Sequence, residues 1–211
     1  MKQLWLMWWG WLILVILVAC QQDEEPLPAY RQELVDISTT SEGIAEYIRL
    51  DDGSCRPLTK PMTGLPGDTL LRGIALYVEQ GHPIHLYQFK PIFSQRPQQV
   101  PLEKKVFDPI DVKSVWRPNA NYINFLLTRK TGGGSQALVF ADEGICTLPS
   151  GRKKWVIELC HAQGQDPLYY SADSYVSCST AHYVDSLQSG VDSIAIKVHT
   201  FQGLYTVTFA F

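Results

Sequence analysis

The pattern that most constrains this chain is apolar residues at every second position, in short runs cut by Gly, Pro and Asp. Trp155, Ile157 and Leu159 alternate with Val156, Glu158 and Cys160, and Tyr205, Val207, Phe209 and Phe211 alternate to the end of the chain. A period of two puts one side chain in each pair on a single face, which is the signature of a β-strand with one buried side. Past the N-terminal segment no stretch repeats with a convincing helical period, so the chain reads as all-β.

The first half divides into strands over residues 33–40, 44–50, 54–58, 69–79 and 84–93. Asp51-Asp52-Gly53 is a hairpin turn in which Gly supplies the positive φ. Pro57, Pro61, Gly64 and Pro66 break up the stretch that follows, and Gly67-Asp68 opens the long fourth strand. Alternation places His85, Tyr87 and Phe89 on one face of the fifth. Five strands in this order and length match an OB-type barrel over residues 31–94. Residues 94–105 turn polar, with Pro97 and Pro101, and read as a domain boundary. Strands resume over 111–117, 121–127, 137–140, 155–161, 174–180, 194–198 and 204–211, the number and spacing of a β-sandwich over residues 105–211. The last strand, with its row of aromatic and apolar residues, implies a buried C-terminus.

The chain begins with an address. Lys2 precedes an apolar run from Leu4 to Val18 that ends in Leu17-Val18-Ala19-Cys20, a bacterial lipoprotein signal with its lipobox. Residues 4–19 are too few for a spanning helix, which needs roughly 20, and Gly10 interrupts them. Residues 1–19 read as the signal peptide. Cys20 is the lipid-attachment residue, and the two or three acyl chains such a cysteine carries bind a membrane stably. Residues 20–30, with Pro26 and Pro28, form an acidic tether. Its Asp23-Glu24-Glu25 fits a solvated linker. It also resembles the signal by which some Gram-negative bacteria place lipoproteins on the outer face of the outer membrane.

Cleavage before Cys20 leaves 192 residues with 17 basic and 21 acidic side chains. That balance lacks the basic stripe nucleic acid would require, so nucleic acid is excluded as a partner. Cys55, Cys146, Cys160 and Cys178 permit three pairings, and free thiols or one bridge both remain open. The sequence carries no zinc spacing and no cofactor motif. Ser, His and Asp occur without a G-x-S-x-G elbow. Gly132-Gly133-Gly134-Ser135 lacks the Lys-Ser/Thr and helix of a phosphate loop and reads as a flexible hairpin loop. Asp51-Asp52-Gly53 lacks the alternating oxygen ligands of a calcium loop. His82, His85, His161 and His182 have no metal-ligand spacing. The row Tyr77, Tyr87, Phe89 and Phe93 serves either as a stacking face or as barrel core. Barrels of this type bind on strands two and three, where Tyr47 and Arg49 lie beside Arg56. Those three are the candidate ligand residues, with Tyr to stack and Arg to supply a planar hydrogen-bonding fork.

The lipobox with its acidic start, Leu50-Asp51-Asp52-Gly53, Gly67-Asp68 and Tyr122-Ile123-Asn124-Phe125 together resemble the NigD-like lipoproteins over nearly all of residues 17–211. Residues 136–140 depart from the family in lacking a histidine. The resemblance implies an N-terminal OB domain, a C-terminal β-sandwich and a cell-envelope location, and it carries over no catalytic or ligand residue. The function expected is a non-enzymatic, surface-exposed lipoprotein held by its lipid to the outer membrane, where it recognises a glycan or an envelope protein. The family context suggests, as an alternative, a protective or immunity factor against a bacteriocin. A hydrolase is the weakest alternative.

Overall fold

A computed structural model describes residues 28–79, 82–181 and 186–211. The signal peptide, Cys20 and Asp23-Glu24-Glu25 lie outside the described residues. Among those described, every regular element but one short 3-10 turn (Leu102–Lys104) is a strand, and no helix is long and apolar enough to cross a membrane. The all-β reading is borne out.

The first sheet contains β1 (Tyr30–Ser38), β2 (Ala45–Leu50), β3 (Cys55–Met62), β4 (Leu70–Val78) and β5 (His85–Pro91), in the antiparallel order β3-β2-β1-β4-β5. Its outermost strands meet. Thr59 N–H donates to the Ile84 carbonyl and Ile84 N–H to the Pro57 carbonyl, both at 2.9 Å, forming a parallel bridge between Leu58 and Ile84. The sheet thereby curls into the OB barrel expected. Val35, Ile37, Ile48, Ala75, Tyr77 and Ile84 fill it. Gly73 leaves room for the ring of Phe89, which would lie 2.4 Å from a Cβ there.

One detail departs from simple alternation. The β4–β5 register shifts between Leu76 and Tyr77, which leaves Tyr87 without a partner. This bulge resets the period. Phe89 pairs with Ala75 and packs against the core, while Tyr87 is 52% exposed.

The second half contains β6 (Phe93–Gln95), β7 (Asp111–Asn119), β8 (Tyr122–Thr131), β9 (Ala137–Thr147), β10 (Lys153–Ala162), β11 (Tyr170–Ser179), β12 (Ser193–Thr200) and β13 (Gly203–Ala210). They form two four-stranded sheets, β13-β12-β10-β9 and β6-β11-β8-β7. Between them lies the core expected of a sandwich. Ile123, Phe125 and Val176 of one sheet face Phe140, Trp155 and Ile157 of the other. β13 is an edge strand. Val207 and Phe209 are only partly buried, and Phe211 at the end is fully packed.

The polar, proline-containing stretch after the barrel is bonded to the sandwich. β6 pairs in parallel with β11. Gln98 exchanges backbone bonds of 2.8 Å with Phe140 and Asp142, covering the free edge of β9. Val106 and Asp108 then bond on either side of His161. Cys55 and Cys146 are exposed free thiols, and Cys160 and Cys178 are buried ones.

Candidate functional site

The three residues singled out by sequence do not form one surface. Cross-strand partners share a face. Tyr47 pairs with Pro57 and Arg49 with Cys55, whereas Arg56 pairs with the core residue Ile48. Arg56 therefore points to the opposite side of the sheet from Tyr47 and Arg49. Its guanidinium is engaged there, with Nε 3.2 Å from Glu79 Oε1, and Arg31 Nε lies 3.2 Å from the other Glu79 oxygen. The pairs run unbroken from the Asp51–Gly53 turn to Tyr47 and Pro57, so the hairpin itself sets the face of Arg56; the register shift lies beyond them, between Ala45 and Tyr47, with the extra residues in β3.

The barrel and the sandwich meet face to face around Arg72, which is 4% exposed. Its Nη1 lies 3.2 Å from Asp36 Oδ1 and its Nη2 2.7 Å from Asp51 Oδ1. The guanidinium lies over the ring of Tyr122, and Nη2 also points to Asn124 Oδ1 at 3.4 Å. Asn124 in turn accepts from Ser177 Oγ at 2.7 Å, and Asn119 Nδ2 donates to the Asp51 carbonyl at 2.8 Å. The two segments Leu50–Gly53 and Tyr122–Phe125 thus come together here. Burial raises the Asp36 carboxyl above its ordinary range despite Arg72, and burial pushes the Tyr122 phenol up to about 12.

A groove opens beside this junction, between the outer face of the barrel sheet and the β6-β11-β8-β7 sheet. Its first lobe, about 560 Å³, is lined by Gln32, Leu34, Asp51 and Ile74 across from Trp116 and Tyr175. Trp116 and Tyr175 stand edge to face, ring centroids 6.4 Å apart at 87°. Ile74 and Tyr175 also line a second lobe of about 480 Å³, together with Lys90, Arg129 and Asp173. That lobe sits beside β11, whose parallel pairing with β6 covers only Val176 to Cys178. Two residues before Gln32 on the same strand face, Tyr30 meets Tyr87 at 5.3 Å, and His85 meets Tyr87 at 4.5 Å. Tyr30 and Tyr87 are each more than half exposed. Sequence reading missed Trp116 and Tyr175. Each lies in a correctly placed strand, but which face turns toward the barrel follows only from tertiary packing.

The Gly132–Gly134 loop is tied down and is not the flexible connection its composition suggests. Gly132 and Gly134 N–H donate to Asp166 Oδ1 at 2.9 and 2.8 Å, and Thr131 Oγ1 and Gln136 Nε2 donate to Oδ2. The Thr131 hydroxyl, followed by these amides, holds the Asp166 carboxyl down at about 2. A glycine-rich concavity suited to an anion is occupied by the chain's own carboxylate. His161 flanks it, with Nε2 2.9 Å from Gln136 Oε1 and Nδ1 3.0 Å from the Asp108 carbonyl. Among the described residues no three His, Cys, Asp or Glu side chains gather as a metal ion would require.

The architecture is shared with solved structures. A NigD-like immunity protein from Bacteroides caccae superposes with a TM-score of 0.64 at 21% identity, over 86% of this chain and 92% of that one. A protein of unknown function from Bacteroides vulgatus gives 0.67 at 15% identity, over 87% and 91%. A candidate lipoprotein from Bacteroides fragilis gives 0.59 at 8% identity, over 86% and 96%. No family model and no curated protein matches the sequence. At these identities the likeness is one of fold. The barrel-plus-sandwich architecture implied by the resemblance to the NigD-like lipoproteins is the one this chain adopts.

Proposed function

We propose that this chain is a lipid-anchored envelope protein that binds an extended saccharide in the groove between barrel and sandwich and catalyses no reaction. The observation that carries the reading is the Trp116–Tyr175 pair facing open space in a groove of two lobes. Aromatic faces stack on the apolar faces of sugar rings, and a few polar groups then fix orientation. Gln32 and Asp51 supply an amide and a carboxylate for sugar hydroxyls in the first lobe. The exposed Tyr30–Tyr87 pair extends the same barrel face. The lipobox at Cys20 and the acids Asp23, Glu24 and Glu25 support placement on the outer membrane, facing outward.

The test uses the chain from residue 20 with Cys20→Ser, screened against oligosaccharides and envelope extracts. Binding that is lost in Trp116→Ala and in Tyr175→Ala, with melting unchanged, supports the groove. Binding untouched by either moves the site elsewhere, and turnover of a bound glycan by purified protein overturns the non-enzymatic reading. In cells, Cys20→Ser should accumulate as unlipidated precursor. Processing like the wild type would remove the anchor. A second reading rests on the shared fold with the NigD-like immunity protein: the partner is then a bacteriocin, and cells lacking the chain become sensitive to it.

A further inference from the structure

We infer that the second lobe of the groove is an anion subsite, so that the saccharide bound there is an acidic one; this rests on the groove reading above. Arg129 lines the lobe, and its Nε is buried without a hydrogen-bond acceptor among the described residues. A buried donor left unpaired is costly, and native structures satisfy nearly all of them. No carboxylate of the described residues forms an ion pair with Arg129. Lys90, exposed on the same lobe, also has no acidic partner among the described residues.

The one acid among the described residues that line the lobe does not answer them. Asp173 Oδ2 lies 2.6 Å from Lys113 Nζ and Oδ1 accepts from Thr128 Oγ1 at 2.7 Å, so its charge is already matched. Gln136, also at the lobe, gives its amide to Asp166. The result is a concavity with two uncommitted cations in a chain of net charge −3. A guanidinium fork pairs with planar carboxylates and with phosphate or sulfate, and an ammonium adds a point charge. Tyr175 borders both lobes. Arg129 shares the core-side face of β8 with Leu127 while Tyr175 lies on the other face, so a saccharide stacked in the first lobe would present an acid group to Arg129 from a neighbouring ring that continues past the edge of β11.

The experiment measures calorimetric binding of oligogalacturonate, its neutral methyl ester and a sulfated galactan to the chain from residue 20 carrying Cys20→Ser. Oligogalacturonate or the sulfated galactan should bind roughly tenfold or more tighter than the ester, the range of a charge-assisted contact. Whichever of the two binds tighter identifies carboxylate or sulfate as the recognised group. Arg129→Gln should erase the preference while leaving ester binding intact. Exposed Lys90→Gln, which carries little folding risk, should reduce it in part. Equal binding of acid and ester, abolished by Trp116→Ala, would overturn the anion subsite and leave the groove standing. A preference that survives both Arg129→Gln and Lys90→Gln would also overturn it. Absence of binding by all three saccharides would overturn the subsite and count against the groove.

Discussion

Arg72 lies over the ring of Tyr122, its Cζ 4.2 Å from the ring centroid, and so joins a barrel strand to a sandwich strand at the centre of their contact. The same guanidinium holds Asp36 and Asp51. The two carboxylates lie on the barrel, and Asn119 and Asn124 reach across from the sandwich to Asp51 and Arg72. One cation thus organises a polar network that spans the contact between barrel and sandwich. Such a network is costly when any member is removed.

Arg72→Ala should therefore destabilise the protein by about 3–5 kcal/mol, the range for breaking a buried ion pair and stranding its partners. Arg72→Lys should recover little, because an ammonium cannot bridge two carboxylates while stacking on a ring. Denaturant unfolding of the three proteins is the check. A loss in Arg72→Ala no larger than that of an exposed substitution would show that the junction contributes little.

The Asp166 cradle gives a pH signature. The carboxyl titrates at about 2 in the fold against an ordinary 3.8. As pH falls, the unfolded chain takes up the proton first. The stability Asp166 contributes is thus complete above about pH 4 and is lost as pH drops through 2. Asp192 and Asp173 are also held down, by backbone amides of Gln188 and Lys153 and by Lys113 respectively, so the wild-type acid limb has several contributors. Comparison with Asp166→Asn isolates one. The variant should be less stable at neutral pH, with the gap closing toward pH 2. A gap that stays constant across this range would rule out the carboxylate as its source.

Most of the architecture was legible because each strand carries its own period. Trp155, Ile157 and Leu159 need no partner to reveal which side is buried, and all three are. Registers were not legible. The hairpin register, which pairs Arg56 with Ile48, turned Arg56 away from Tyr47, and the bulge at Tyr87 sent Phe89 inward. A one-residue slip reverses every side chain beyond it, and a bulge depends on pairing between distant segments. The groove was hidden for a related reason. Trp116 and Tyr175 are aromatic residues in sandwich strands, and nothing local distinguishes the face toward the core from the face toward a second domain. The cradle at Gly132–Gly134 was misread because its anion arrives from Asp166, more than 30 residues away in the chain.

Gly73 tests the barrel itself. A Cβ at this position would fall 2.4 Å from Cε2 of Phe89 and 2.6 Å from the Lys90 carbonyl. Overpacking of this kind costs about 1–3 kcal/mol. Gly73→Ala should lower the melting temperature, and pairing it with Phe89→Leu should restore part of the loss by removing the ring. If the double variant is as unstable as the sum of its parts, the clash lies with the backbone carbonyl and the ring is not the cause.

The C-terminal strand provides the last test. Phe211 is buried, its N–H donates to the Asp192 carbonyl at 2.9 Å, and its own carbonyl accepts from Gly190 at 2.7 Å. Arg117 lies over its ring at 5.1 Å and donates to the Ala210 carbonyl, which ties the edge strand to the opposite sheet. Phe211→Ala should cost about 3–5 kcal/mol, as truncation of a buried phenyl does. Removing residues 204–211 takes away that anchor together with Val207 and Phe209, and it exposes the whole free edge of β12. A domain of this size has about 5–15 kcal/mol in hand, so the truncated sandwich should not fold. The outer half of β13 is exposed, so Leu204→Ala and Tyr205→Ala should each be nearly neutral. Thermal melting followed by circular dichroism separates the cases. A cooperative transition that survives the deletion would show that the sandwich closes on seven strands and that the eighth only lies against it.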